Sequence, residues 1–424
     1  MRPLLIFDLD GTLHKTDVLV VPAMLRALAD MRLPKLTPAD ITAHFGAPAE
    51  DFIHLVLPGQ PHGVIQEFRH RLRCYERAAI ASTATLYQGI RDMLNLLAQD
   101  NFAMVVCSNG SKQYVYNVLD ACGIRPFFAA AHGRDGHKNK AAAIADLLAE
   151  KRRPAAVVVG DSLYDLEAAR ENNLPCVGVS YGYDKRITRA DFLAHSPAQV
   201  VDQARRCAVF AEMEQAIRVR RGDRPLIAGI NGVDAAGKTV FTLALARYLR
   251  ARGFHVQIIH VDDFHNPAAI RHQEPDQVRS YIAHAFDLDR LVRSVLSPCR
   301  SRKSVNSVLT VLDVPRDRMD RRIDIDIRND TVVLVEGVLL YRPPLNAYFD
   351  LRVFLHIPFS RVQQRAEDRG DGQKGISAQA YQNKYIPVQK WYLATYSPMQ
   401  QSDLVVDNSD VRAPRIVALT QTMV

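Results

Sequence analysis

Short apolar runs recur along the chain and alternate with stretches of helical period. Leu4–Phe7, Val105–Cys107, Ala155–Val159, Leu226–Ile230 and Val332–Val335 are each about as long as a buried strand. Helical spacing of apolar positions marks Val21–Met31, Val64–Ala81, Gly89–Ala98, Ala141–Glu150, Ala204–Ile217 and Val240–Arg247. Strand alternating with helix predicts an α/β protein with parallel sheets. The alternation occurs twice and lapses over residues 184–224, where no strand period survives. This predicts two domains, over residues 1–202 and 224–424, joined by a linker helix and polar segment at 203–223. Within the first, residues 14–85 read as helices alone, an insertion after the first strand.

Composition changes this picture little. The 424 residues are 48 % hydrophobic and 24 % charged, as in globular proteins, and no apolar run reaches the length of a membrane span. Six cysteines show no metal-ligand spacing, which points to free thiols in a reducing, cytoplasmic setting. The net charge of +8 divides into +3 before Gly222 and +5 after it, with acids and bases interspersed. Neither half is basic enough to track nucleic acid, so that partner is not expected.

Chemistry enters at the strand ends. Leu4-Leu5-Ile6-Phe7 runs into Asp8-Leu9-Asp10-Gly11-Thr12, two carboxylates at spacing i, i+2 that would point the same way if the strand continued. Ser108 follows the run Val105–Cys107, Lys138 and Lys140 precede the helix Ala141–Glu150, and Gly160-Asp161 with Asp165 follows Ala155–Val159. In this order the four stretches resemble the motifs of the haloacid dehalogenase superfamily of phosphatases, and phosphoglycolate-phosphatase-like members with a helical cap in particular.

The resemblance implies a Rossmann-like parallel sheet and hydrolysis of a small phosphate ester with Mg²⁺. Asp8 would attack phosphorus, and Asp10 would serve as general acid and base. Ser108 would hydrogen-bond a phosphoryl oxygen. Lys140, or else Lys138, would neutralise its charge. Asp8, Asp10, Asp161 and Asp165 would surround the metal, with Asp165 holding either the ion or Lys140 in place. The insertion at 14–85 corresponds to the cap, from which His14, Lys15 and Arg73 are candidates to face the cleft.

The second half opens on Gly232-Val233-Asp234-Ala235-Ala236-Gly237-Lys238-Thr239, a G-x-x-x-x-G-K-[ST] phosphate loop between a strand and a helix. Backbone from Gly232, Ala235, Ala236, Gly237, Lys238, Thr239 and Val240 would wrap a triphosphate at the helix N-terminus. Lys238 would reach the outer phosphates, and Thr239 would offer its hydroxyl to Mg²⁺.

Further on, Val261-Asp262-Asp263-Phe264, Tyr281–Leu291 and Val335-Glu336-Gly337 resemble the uridine kinase, phosphoribulokinase and pantothenate kinase group. That resemblance implies ATP as donor and a nucleoside or sugar-like acceptor, with Asp262 taking the hydroxyl proton. Glu336 would bind Mg²⁺ through water or orient the hydroxyl. Arg361, Arg365 and Arg369 share a helical face and correspond to a lid over the phosphates, although Gly370 interrupts the group's usual pattern. The basic stretches at 300–303 and 316–322 read as an exposed loop and a strand edge. Together these features predict a phosphatase fused to a kinase. The competing expectations are a polynucleotide kinase/3′-phosphatase that repairs nucleic-acid ends, and a nucleotide-sensing regulator.

Overall fold

A computed structural model describes residues 2–134, 139–151, 155–301, 304–368 and 378–419. The chain divides into two compact units, Met1–Ala211 and Glu212–Val424. The division falls inside one helix, α9 below, and not in an extended linker.

The first unit carries strands β1 (Leu4–Phe7), β2 (Met104–Cys107), β3 (Ala130–His132), β4 (Ala156–Gly160), β5 (Cys176–Val179) and β6 (Phe192–Ala194). They form one parallel sheet in the order β3-β2-β1-β4-β5-β6. Every residue of β1, β2 and β4 is buried, as expected of strands covered by helices on both faces. Order reverses beside β1, so the C-terminal ends of β1, β2 and β4 converge on the crevice where such sheets place their sites.

Between β1 and β2 stand helices α1 (Asp17–Asp30), α2 (Pro38–Thr42), α3 (Ala49–Val56), α4 (His62–Thr83) and α5 (Ile90–Gln99). The first four share their own core around Met24, Ile41, Ile53, Ile65 and Phe68, which makes the cap a separate packing unit. Within it the start of α2 is fixed locally, since Thr37 and Asp40 close a capping box there. Helices α6 (Lys112–Ala121), α7 (Lys140–Lys151), α8 (Leu163–Glu171) and α9 (Pro197–Arg220) complete this part of the chain.

The second unit continues with β7 (Leu226–Gly232), helix α10 (Lys238–Ala251), β8 (Val256–His260), β9 (Val305–Asp313), β10 (Arg318–Ile327), β11 (Val332–Gly337), β12 (Leu351–His356), β13 (Leu404–Asp407) and β14 (Arg415–Leu419). Six of these strands form a sheet in the order β14-β13-β12-β7-β11-β8. This sheet is mixed and not wholly parallel, because β14 runs antiparallel to β13. The few residues between them are too short for the crossover of about a dozen that parallel pairing requires.

β9 and β10 pair as a separate antiparallel hairpin. The basic stretch at 316–322, expected as loop and edge, is therefore the turn and first half of an exposed ribbon strand. Its interleaved acids and bases concealed the strand period. Among the described residues no helix is long and apolar enough to cross a membrane, and all six cysteines are free.

Candidate functional sites

In the first unit β1 ends at Phe7, one residue before the acids, so the strand alternation expected to align Asp8 with Asp10 does not operate. The two part instead. Asp8 donates its backbone N–H to Val159 O (2.8 Å) and turns its buried carboxylate to Lys140 Nζ at 2.6 Å. Lys140 opens α7 and also contacts the carboxylate of Asp165, which accepts from the hydroxyl and N–H of Ser162 in the first turn of α8. Asp161, at the end of β4, accepts the Tyr183 N–H at 2.8 Å. Gly11 turns with φ +81, and a Cβ there would collide with the Asp161 carboxylate. That close approach explains a glycine at this point.

Asp10 meets a different set. Its carboxylate accepts from Thr16 Oγ1 (2.8 Å), the Tyr114 hydroxyl (2.7 Å) and Ser108 Oγ (3.3 Å). Ser108 in turn accepts the Gly110 N–H at 3.0 Å. Asp8, Asp10 and Ser108 nevertheless line one cavity of about 240 Å³ beneath the cap.

Asp8, Asp161 and Asp165 are the three described acids whose carboxylate oxygens all lie within 4.8 Å of one another, and all are buried. Asp10 does not join them. One lysine cannot balance three buried carboxylates, and the energetics register the deficit. Burial raises Asp8 well above the usual carboxylate range, opposed by Lys140 and reinforced by Asp165 and Asp161. Burial and then Asp165 push Asp161 up to about 7. Burial also opposes the charge on Lys140, but Asp165 and Asp8 outweigh it and hold the ammonium above its ordinary value. An oxygen-rich, over-negative cluster of this kind fits a hard divalent cation such as Mg²⁺.

Of the cap candidates, Arg73 lines the cavity. His14 is fully buried with Nδ1 against Thr85 O at 2.9 Å, and neither it nor Lys15 reaches the cavity. Lys138 lies outside the described residues. Sequence reasoning missed Thr16, Tyr114 and Glu76, since nothing in their spacing separates them from ordinary helix residues.

In the second unit the loop after β7 reverses through left-handed residues Ala235 (φ +56) and Gly237 (φ +83), and α10 begins at Lys238. Lys238 Nζ arches back to Val233 O at 3.0 Å. Thr239 Oγ1 donates to Glu336 Oε1 at 2.9 Å, and His260 Nδ1 meets the same oxygen at 2.6 Å. Burial alone would raise Glu336, but His260, Lys238 and Thr239 together hold it below its ordinary value. The hydrogen bond to Glu336 correspondingly raises His260. His260 was not among the expected site residues. It ends β8 beside β11, where it is paired with Glu336, a register no local pattern reveals.

Asp262 is exposed on the turn that follows β8. Its neighbour Asp263 pairs with Arg321 of the hairpin. Arg365, expected as a phosphate clamp, donates to the backbone carbonyls of Ala235 (3.3 Å), Asn408 (2.7 Å) and Ser409 (2.8 Å). As placed, it braces the loop. Asn408 Nδ2 adds a bond to Ala236 O at 2.6 Å, and Gln389 Nε2 reaches Asp234 at 3.2 Å. The strand end supports the same loop, for Asn231 Nδ2 donates to the buried Tyr392 hydroxyl at 2.7 Å. Val240 is exposed on α10. Arg369 lies outside the described residues.

Residues 5–179 match the family model described as haloacid dehalogenase-like hydrolase. A phosphoglycolate phosphatase of Chromobacterium violaceum is 30 % identical over 212 residues, covering 46 % of this chain and 93 % of that protein. A phosphoglycolate phosphatase of Agrobacterium fabrum is 27 % identical over 215 residues, covering 47 % and 92 %. A solved structure described as a possible uridine kinase from Bacillus stearothermophilus superposes with a TM-score of 0.36 at 23 % identity, over 46 % of this chain and 98 % of that one.

Proposed function

The chain belongs, through its first half, to the haloacid dehalogenase-like hydrolases, and from that premise we propose how its phosphatase site works and what stands beside it. The observation that carries the reading is Lys140 held between Asp165 and Asp8, the latter lining the capped cavity. An Asp8 oxygen forms a bond to phosphorus as the ester P–O bond breaks, and Asp10 gives its proton to the leaving oxygen. Asp10 then takes a proton from water, whose oxygen displaces Asp8 and releases phosphate.

Asp8, Asp161 and Asp165 would hold Mg²⁺, which supplies charge neutralisation between anionic nucleophile and anionic ester. Tyr114 and Thr16 orient the Asp10 carboxyl, and Lys140 orients Asp8. Phosphate release from a panel of monoesters, with and without Mg²⁺, tests this in the parent and in Asp8→Asn. Hydrolysis that survives the substitution refutes the assignment.

A second reading concerns the other half and rests on a different observation, the Thr239–Glu336–His260 chain beside a strand–loop–helix turn. It is an ATP-dependent kinase for a hydroxyl on a nucleoside or sugar-like molecule. Lys238 and the loop N–H groups hold the phosphates, Thr239 and Glu336 offer ligands for Mg²⁺, and Asp262 accepts the hydroxyl proton. Opposed activities on one hydroxyl would merely hydrolyse ATP, so the two halves act on different positions or different molecules. Transfer of label from γ-labelled ATP to free nucleosides and sugars, against oligonucleotide ends, separates this reading from nucleic-acid repair. Absence of ATP consumption in the presence of both acceptor classes removes it.

A further inference from the structure

The cap helix α4 presents two adjacent stripes to the phosphatase cavity. One is basic, Arg69, Arg73 and Arg77 at i, i+4 spacing, and the other is Leu72, Glu76 and Ile80. With about 1.5 Å of rise per residue the arginines span roughly 12 Å of helix, more than one phosphate group can meet at both ends. The same cavity carries an apolar wall of Val20, Phe45, Phe52 and Ile53 together with Leu72 and Ile80.

A basic face on a helix is ordinarily just solvated, and Arg73 and Arg77 are indeed exposed. Three observations argue otherwise here. Arg69 Nε is buried without a hydrogen-bond partner, an arrangement that costs free energy unless a ligand completes it. Among the described residues that α6 contributes to the cavity none is an acid, and its Gln113 and Asn117 bond to each other at 2.7 Å. The one acid within the stripes is Glu76. Burial, and then the charge of Asp10, raise its carboxyl to about 8 against the pull of Arg73, so near neutrality it presents mainly a hydrogen-bond donor. Asp8, meanwhile, already has its own cation in Lys140.

Resting on the phosphatase reading above, we infer that the cap selects an elongated monoester: a phosphate at Asp8, an apolar body, and a second anionic group bound by Arg69 and Arg73, with Arg77 at the rim. A carboxylate and a second phosphate satisfy the same arginines. Phosphoglycolate, whose carboxylate sits too near its phosphate to reach past the apolar wall, is then a poor substrate despite the names of the relatives.

The test uses the full-length protein with Mg²⁺ and measures kcat/KM on three matched series of increasing chain length. These are ω-phosphorylated carboxylic acids starting at phosphoglycolate, α,ω-bisphosphates, and alkyl monophosphates without a distal charge. The expected result is that kcat/KM rises with length and that one anionic series exceeds the uncharged one about tenfold or more, the equivalent of a single charge-assisted contact. Which anionic series leads identifies the distal group. Arg69→Gln should bring the anionic-to-uncharged ratio down toward one, and Arg69→Lys should keep part of it. Arg77→Gln, at an exposed position with little bearing on folding, should lower the same ratio by a smaller factor. Hydrolysis of all series with a ratio near one, or a ratio unmoved by both glutamine variants, overturns the inference and leaves the phosphatase reading standing. Phosphoglycolate as the best substrate overturns it equally. No hydrolysis of any ester overturns both.

Discussion

In the functions proposed above, the two halves would handle phosphate charge by opposite means at corresponding places, the C-terminal ends of parallel strands. The first gathers ionisable side chains from distant parts of the chain: Asp8 after β1, Lys140 at the start of α7, Asp161 and Asp165 after β4. The second relies on a contiguous loop whose backbone turns through Ala235 and Gly237 into α10, with Lys238 and Thr239 next in line. Side-chain charges packed together are costly and depend on one another. Backbone N–H groups at a helix start are neutral and come with the turn. The first site is therefore expected to be fragile toward loss of one partner, and the second tolerant of change outside its loop.

The largest effect comes from crossing the halves. Asp8→Asn is expected to lower phosphate release by about a thousandfold or more and to leave ATP consumption untouched, while Lys238→Ala does the reverse. Parallel assays of both reactions in each variant check it, and loss of both activities in either variant would break the separation.

Next is Lys140→Met. It strands three buried carboxylates and is expected to destabilise the first unit by about 3–5 kcal/mol, seen as a shift in the denaturation midpoint. The same cluster should make the first unit's stability responsive to Mg²⁺. At a hundred times its dissociation constant the ion would contribute about 2.7 kcal/mol, and chelation would remove that increment. Calorimetry with and without the ion decides this, and Asp161→Asn should flatten the response.

A smaller effect probes the second unit's brace. Tyr392→Phe leaves the buried Asn231 amide and Tyr341 N–H without their shared acceptor and should cost about 1–3 kcal/mol.

The smallest concerns Glu76, which shares α4 with Arg73 and feels the charge of Asp10. An unfolded chain releases this proton near the ordinary value of 4.5, whereas the folded protein releases it at about 8. Between those values folding takes up a proton, so stability falls as pH rises through that window. Glu76→Gln should remove this slope, leaving the variant more stable than the parent at alkaline pH by about 1–2 kcal/mol once partial exposure is allowed for. Melting curves of both proteins across the window report it, and parallel curves would contradict the raised carboxyl.

Legibility followed the same divide. The strand–helix alternation, the helical insertion and the strand–loop–helix turn at 232–239 were all readable, because each depends on residues adjacent in sequence or at fixed spacing. Asp8, Lys140 and Asp165 were each singled out from the order of motifs, and the fold brings the three side chains into contact. The divergence of Asp8 from Asp10 was not readable, since it depends on β1 stopping at Phe7. Nor was the β9–β10 ribbon, whose charged residues mask a strand that pairs only with its neighbour. Arg365 illustrates a further gap. Its spacing suggested a lid, whereas its guanidinium braces Ala235, Asn408 and Ser409, two segments far apart in the chain.

By itself the sequence determined the strand–helix alternation around both sites, that the chain has two units, and the glycine turn that leads from β7 into α10. Those properties follow from local periodicity, glycine conformation and the missing partners at a helix start. Tertiary structure alone decided that two carboxylates share one lysine with a third close by, that His260 meets Glu336 across neighbouring strands, and that Tyr114 and Glu76 join Asp10 beneath the cap. Burial and pairwise charge act through space, and no spacing along the chain encodes the distances on which they depend.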